Sequence, residues 1–277
     1  MRSWRGAISL APVLAAVTTA LLLLACGGKD QPTIRLATTT SARDSGLLDW
    51  LLPEIERSTG VVVQVIAVGT GQAIEIGKRG DADFVIVHDR PKEDAFVTAG
   101  YGLDRRDLMW NDFIIVGPSA DPAGVKGEKD AAAAFRKFAA AQAPFVSRGD
   151  DSGTHGREKS LWQKAGGKPS WPGYADAGQA MGATLVMASE KSAYCLTDRG
   201  TYASMRKRLD LVVLVEGDPA LLNPYGVMLV NPAKNPGVKV ADARRVVEYL
   251  MSPEGQARIA AFRVDGEAIF HPGAPAK

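Results

Sequence analysis

The segment Ser147-Arg148-Gly149-Asp150-Asp151-Ser152-Gly153-Thr154-His155 combines residue types that hold a small oxyanion. Gly149 and Gly153 let backbone N–H groups turn inward, and Ser152 and Thr154 add hydroxyl donors. A helix starting here contributes the partial positive charge of its first turn. Arg148 adds a fixed cation with a planar donor fork suited to a tetrahedral anion. The same residues also read as a Gly-rich loop ending in an Asp or Ser helix cap. Two further donor clusters, Thr38-Thr39-Thr40-Ser41 and Gly69-Thr70-Gly71-Gln72, favour the anion site. Each alone could be a cap, with Ser41 or Thr70 in that role.

Other chemistry fits these residues less well. Ser152 lies three residues before His155, and a Ser and His so close on a helix start do not form the nucleophile, base and orienter of a serine-type hydrolase. His155 reads better as a cap or cleft-rim residue. The chain has three histidines, His88, His155 and His271, with no metal-ligand spacing among them. Glu254, after Ser252-Pro253, fits the first turn of a helix rather than an acid catalyst.

The donor clusters need elements to hold them. Thr33 to Ala37 reads as a strand, Ser45 to Ser58 as an amphipathic helix with Pro53 marking a kink or restart, and Val61 to Val68 as a strand. Strands follow at Asp83 to His88 and Phe113 to Pro118, then an Ala-rich helix at Lys129 to Ala141. Helices are expected at Thr154 to Ala165 and Gly178 to Lys191, with strands at Ser192 to Leu196, Leu211 to Val215 and Tyr225 to Val230. Helices close the chain at Ala241 to Met251 and Pro253 to Phe262, before a loose tail, His271 to Lys277. The alternation is α/β, predicting mostly parallel sheets with helices on both faces. The three donor clusters then emerge at the carboxyl ends of strands, where ligands bind in open α/β sheets. Phe113 to Val116 and Tyr225 to Val230, after the turn-like Asn111-Asp112 and Asn223-Pro224, are the expected crossovers between two lobes. Lobe 1 would comprise residues 33–114 and 225–277, and lobe 2 residues 115–224, clamping a ligand between them.

The first residues carry a charged start, Arg2 and Arg5, then an apolar run from Ala7 to Leu24, which reads as a secretory signal over residues 1–25. Its end, Leu23-Leu24-Ala25-Cys26, resembles the bacterial lipoprotein signal, in which the cysteine is acylated. An uncleaved membrane anchor is the competing reading. Residues 26–32 would be a tether. With Cys26 acylated, Cys195 has no disulfide partner, and its neighbours Tyr194 and Leu196 mark it as a buried, inert thiol. Removing the signal leaves 31 Lys and Arg against 31 Asp and Glu. A nucleic-acid partner asks for a basic stripe, so none is expected, and any affinity for anions must come from local donors.

The mature chain resembles the tungstate-binding proteins of bacterial ABC importers, a branch of the type II periplasmic-binding-protein fold. The matching stretches are Ala37 to Ser41, Asp44 to Leu48, Val65 to Gln72, Gly80 to Asp83, Asn111 to Pro118, Ser147 to His155, Glu216 to Asp218 and Asn223 to Tyr225. The resemblance implies a two-lobed receptor that passes tungstate, or molybdate, to an ABC permease, with no cofactor. It implies that Thr39, Thr40, Ser41, Thr70, Arg148, Ser152, Gly153 and Thr154 line the anion, and that the protein is an extracytoplasmic, lipid-anchored monomer. The Arg-Gly-Asp-Asp-Ser-Gly-Thr string also resembles the corresponding loop of phosphate receptors. Those carry a strand-end Asp that accepts the proton of hydrogen phosphate, and the same step from Asp83-Phe84 lands on His88, with Asp89 one residue further.

Overall fold

Alternation of apolar residues along the strands determines the layering. In Thr33–Thr39 (β1), Ile34 and Leu36 face one core and Ala37 the other. The computed structural model describes Met1 and residues 31–167 and 170–275. The expected signal region and most of the tether, with Cys26, lie outside the described residues. The folded unit runs from Pro32 onward.

After β1 come a short helix Thr40–Asp44 (α1), Leu47–Thr59 (α2), Val62–Val68 (β2), Thr70–Arg79 (α3), Phe84–Val87 (β3) and Arg90–Thr98 (α4). Then follow a long strand Gly102–Gly117 (β4), Ala131–Ala141 (α5), Phe145–Ser147 (β5), Gly153–Ala165 (α6) and Tyr174–Asp176 (β6). Met181–Glu190 (α7), Cys195–Asp198 (β7), Arg199–Met205 (α8), Val212–Val215 (β8) and Leu222–Val230 (β9) lead to Val240–Met251 (α9) and Pro253–Ala261 (α10). The short strands Arg263–Val264 (β10), Glu267–Ala268 (β11) and His271–Pro272 (β12) end the fold.

Local chemistry sets several boundaries. The Asp130 carboxylate accepts from the N–H groups of Ala132 and Ala133 at 2.8 and 3.1 Å to start α5. Ser252 caps α10 ahead of Pro253, with Glu254 in its first turn. The Pro53 restart does not occur. Leu47, Leu48, Leu51 and Ile55 all bury on one side of α2, and that apolar stripe holds the helix together across the missing N–H.

The sheet runs in the order β12-β4-β9-β3-β1-β2. Strands β1, β2 and β3 pair in parallel, as do β5 and β6, and antiparallel pairing enters wherever β4 or β9 takes part. Helices α2, α9 and α10 cover one face of this sheet, against Ile34, Leu36, Phe84, Ile86, Val227 and Leu229. Helices α3 and α4 cover the other, against Ala37, Val85, Val87, Met228 and Val230. Past Asp112, β4 leaves β9 and pairs instead with β7 and β8. Its alternation continues there, with Phe113 and Ile115 packed on α5 and α6 and Ile114 and Val116 on α7. Each half is thus a sheet with helices on both faces.

Two expectations are corrected. Asn111-Asp112 and Asn223-Pro224 are not turns but lie inside β4 and β9, with Asn111 paired to Asn223 and Asp112 to Leu222. Two Asn side chains are tolerated in buried strands because they bond one another, Asn223 Nδ2 donating to Asn111 Oδ1 at 2.7 Å. The tail is not loose at its start. His271 and Pro272 pair with Trp110 and Met109 of β4, and the His271 ring stacks on Trp110 at 4.3 Å. Cys195 is free and buried, and burial pushes its thiol pKa up.

Phe135 anchors the core of the second half, fully buried with ring centroids 4.4 Å from Trp162 and 5.5 Å from Phe145. Phe135→Ala is expected to lower the unfolding free energy by about 3–5 kcal/mol, read from urea melts. A loss below about 1 kcal/mol would show that this core repacks around the cavity.

Candidate functional site

Parallel register brings three strand ends together. Thr39 of β1 pairs with Val68 of β2 and Thr38 with Ile86 of β3, so the chain leaves the sheet side by side at Thr40, Gly69 and His88. The loop after β5 reaches this edge from the other half. Arg148 Nη2 donates to Thr40 Oγ1 at 3.4 Å, and Gly153 lies against His88. A Cβ on Gly153 would sit 2.7 Å from His88 Cε1, so only glycine permits this approach. Gly149 is equally constrained, with φ +64° and space for a Cβ blocked by Asp176.

Arg148 is buried, 3% exposed. Its Nη2 pairs with Asp150 at 2.9 Å, and its Nε donates to the Gln179 carbonyl at 3.2 Å. Nη1 makes no hydrogen bond among the described residues. Asp150 is itself held in place, since its other oxygen accepts from the Ser152 N–H at 3.1 Å.

The hydroxyls divide by role. Thr38 faces the sheet and donates to the Ile86 carbonyl at 2.7 Å, so it lies outside the cluster. Thr39 caps α1, accepting from Ala42 N–H, and its Oγ1 is 3.1 Å from Ser41 Oγ. Ser152 caps α6 by accepting from His155 N–H at 3.3 Å. The hydroxyls of Thr70 and Thr154 are buried at the first turns of α3 and α6 and have no hydrogen-bond partner among the described residues. Leaving such groups unpaired costs about 1–3 kcal/mol each, and both lie in helix first turns, where donors suit an anion.

Thr39, Thr40, Ser41, Arg148, Ser152 and Gly153 are linked into one cluster through the Arg148–Thr40 and His88 contacts, with Thr70 and Thr154 on its flanking helix starts. His88, Asn223, Asn111 and Tyr225 stand behind it. His88 Nε2 is 3.3 Å from Ser41 Oγ, its Nδ1 is 2.8 Å from Asn223 Oδ1, and its ring stacks on Tyr225 at 4.7 Å. In the sequence the two asparagines read only as parts of turn-like segments. Burial depresses the His88 pKa to about 4, so the ring is neutral near pH 7. Asp89 is committed elsewhere, capping α4 through Lys92 N–H and pairing with Lys92 Nζ at 2.9 Å. Below the loop, burial raises the Glu158 carboxyl to about 7, while its Oε1 accepts from Trp162 Nε1 and the Tyr174 hydroxyl.

Ser152 and His155 share no side-chain hydrogen bond among the described residues. His155 Nδ1 accepts instead from the Asp151 N–H at 3.0 Å, so the ring braces the loop. No group of three or more metal-ligating residues occurs among the described residues.

A family model described as a PBP superfamily domain matches residues 27–254. The tungstate-binding protein TupA of Peptoclostridium acidaminophilum is 44% identical over 280 residues, covering 96% of this chain and 98% of that protein. A solved structure titled as the tungstate ABC transporter from Geobacter sulfurreducens is 50% identical, with TM-score 0.78, over 83% of this chain and 98% of that one. The tungstate-binding protein TupA from Desulfovibrio alaskensis G20 is 47% identical, with TM-score 0.77, over 88% of this chain and all of that one.

The depressed His88 pKa has a consequence for stability. An unfolded histidine takes up protons below about pH 6.5, whereas buried His88 does so only near pH 4. Its contribution is therefore fully present above pH 6.5 and is lost as pH falls toward 4. Glu93 and Glu158, both raised to about 7 by burial, act in the opposite sense, so the histidine is isolated by comparison with His88→Gln. Between pH 7 and pH 5, anion-free wild type should lose roughly 2 kcal/mol more unfolding free energy than the variant. Equal losses in urea melts would place the His88 pKa near its ordinary value.

Proposed function

From the premise that the chain belongs to the PBP superfamily, in the family of the tungstate-binding proteins, we propose that it is the extracytoplasmic solute-binding protein of an ABC importer. It binds a tetrahedral oxyanion, tungstate or its near twin molybdate, and delivers it to the permease. The observation that carries this reading is the junction of Arg148 with Thr40 across two strand-end loops, flanked by the Thr70 and Thr154 hydroxyls, which have no partner among the described residues. Thr39, Thr40, Ser41, Thr70, Arg148, Ser152, Gly153 and Thr154 line the anion. The site supplies donors and one cation, which suits an oxyanion that carries no proton at neutral pH.

Phosphate fits less well. Hydrogen phosphate needs an acceptor for its proton, and the two nearby carboxylates are engaged, Asp89 by Lys92 and Asp150 by Arg148 and Ser152 N–H. A hydrolase fits least, since Ser152 accepts from a backbone N–H and His155 braces Asp151. The relatives are named for tungstate binding and transport.

Residues 33–114 with 225–277 and residues 115–224 act as two lobes joined through β4 and β9. The anion, held by Thr39 to Ser41 on one lobe and by Arg148 and Thr154 on the other, draws them together. Cys26 carries a lipid that tethers the monomer to the membrane surface. No helix among the described residues is long and apolar enough to cross a membrane.

Calorimetric titration should give tungstate a far lower Kd than phosphate or sulfate, with little change between pH 6 and 8. Phosphate winning would restore the phosphate reading. A charge pair at about 4 Å is worth on the order of 4 kcal/mol at an effective dielectric near 20, before desolvation. Arg148→Ala should therefore weaken tungstate by about 2–3 kcal/mol, roughly a hundredfold, and Arg148→Lys should recover only part of it because the donor fork is lost. Wild-type affinity in Arg148→Ala would remove Arg148 from the site. Tungstate should also reduce the radius of gyration in small-angle scattering and raise Tm. An unchanged radius at saturation would contradict the clamp.

A further inference from the structure

We propose that His88 is a positioning residue for the oxyanion site, acting through Ser41 and held from behind by Asn223, and that the bound anion decides which ring nitrogen carries the proton. The proposal rests on the oxyanion reading of the site. His88 is confined on both sides, stacked on Tyr225 at 4.7 Å and abutting Gly153, whose Cβ space its ring edge occupies. Each ring nitrogen meets a group that can donate or accept, the Ser41 hydroxyl at Nε2 and the Asn223 amide at Nδ1.

A neutral imidazole has one donor and one acceptor, so the chain of hydrogen bonds runs in one of two directions. With Asn223 Oδ1 facing the ring and its Nδ2 donated to Asn111, Nδ1 carries the proton. Nε2 then accepts from Ser41, and the Ser41 proton is drawn away from the anion. In the reverse direction both amides turn over, Asn111 Nδ2 donating to Asn223 Oδ1 and Asn223 Nδ2 to His88 Nδ1, so that Nε2–H donates to Ser41 Oγ and the Ser41 proton is free for the anion. A fully ionised oxyanion only accepts hydrogen bonds, so only the second direction lets Ser41 contribute. Thr39 is coupled to the choice only through Ser41: its oxygen accepts from Ala42 N–H and lies 3.1 Å from Ser41 Oγ, so its own proton goes either to Ser41 or to the anion.

The chain ends on the Asn111–Asn223 pair, which joins β4 to β9 where the two halves meet. The Tyr225 hydroxyl lies beside Ser41, Asn111 and Asn223, with no hydrogen bond of good geometry among the described residues, and it can follow either direction. Burial keeps the ring neutral, with its pKa near 4, so the switch is one of tautomer rather than of charge. The demand of the anion for donors thus reaches the strand pair between the halves through a single imidazole.

The test uses the full mature chain with 15N-labelled histidine. Long-range proton–nitrogen correlation, with His88 assigned by comparison with His88→Gln, should show His88 passing from the Nδ1–H to the Nε2–H tautomer on saturation with tungstate. His271, stacked on Trp110, should keep its pattern. In calorimetry His88→Gln, whose amide nitrogen reaches the Nε2 position, should retain tungstate Kd within about tenfold, while His88→Asn, which mimics only Nδ1, should lose about tenfold more. Both variants lose the stacking on Tyr225, so the difference between them reads the hydrogen bond. Retention of the Nδ1–H tautomer at saturation, or equal Kd losses in the two variants, would overturn the proposal. In that event a large loss in Arg148→Ala would still uphold the oxyanion site. No tungstate binding by the wild type would overturn both.

Discussion

An arginine that is 3% exposed, with one carboxylate as its ion-pair partner among the described residues, must be supported from every side, because a buried charge left unpaired is costly. Arg148 is supported by Asp150, by the Gln179 carbonyl and by the Thr40 hydroxyl. Asp150 in turn is held by the Ser152 N–H, and Gly149 adopts the positive φ that turns the loop back. The loop geometry therefore follows from what the cation needs. Because one of its supports, Thr40, comes from the other half of the fold, the cation also ties the halves together.

The second constraint is mechanical. Strand β4 is 16 residues long and contributes to the sheets of both halves, and β9 pairs with it as far as Leu222. Such a strand pair resists stretching but can bend and twist, which suits a joint between two rigid layers. Apolar packing on either side is dense, with Phe135, Phe145 and Trp162 in one half and Leu36, Phe84 and Leu229 in the other. Helix α8 touches both, with Ala203 in the first core and Tyr202 and Met205 packed on the second. The two halves are thus joined through few elements, β4, β9 and α8 among them.

The third feature is the distribution of unsatisfied polar groups. Thr70, Thr154 and Tyr225 keep buried hydroxyls without hydrogen-bond partners among the described residues, near a histidine held neutral by burial. A fold that satisfied these groups internally would gain stability and lose readiness for an anion. In the proposed site that cost becomes binding energy once an anion meets the donors. The carboxylates nearby are turned to caps and ion pairs, which leaves the site rich in donors.

Much of this was legible in the chain itself. Hydroxyl runs after apolar strands, a Gly-rich segment with an arginine, and α/β alternation are local patterns, and local patterns follow from backbone propensity and side-chain chemistry. They located the donor loops at Thr38 to Ser41, Gly69 to Gln72 and Ser147 to His155. What they could not reveal was which hydroxyl turns inward, since Thr38 and Thr40 are chemically alike and only sheet register sends the first to the Ile86 carbonyl. Nor could they reveal that Asn111 and Asn223, 112 residues apart, meet across two strands. Read locally, Asn before Asp or Pro is a turn. Only long-range pairing, which brings each amide its partner, makes strand the better state for both.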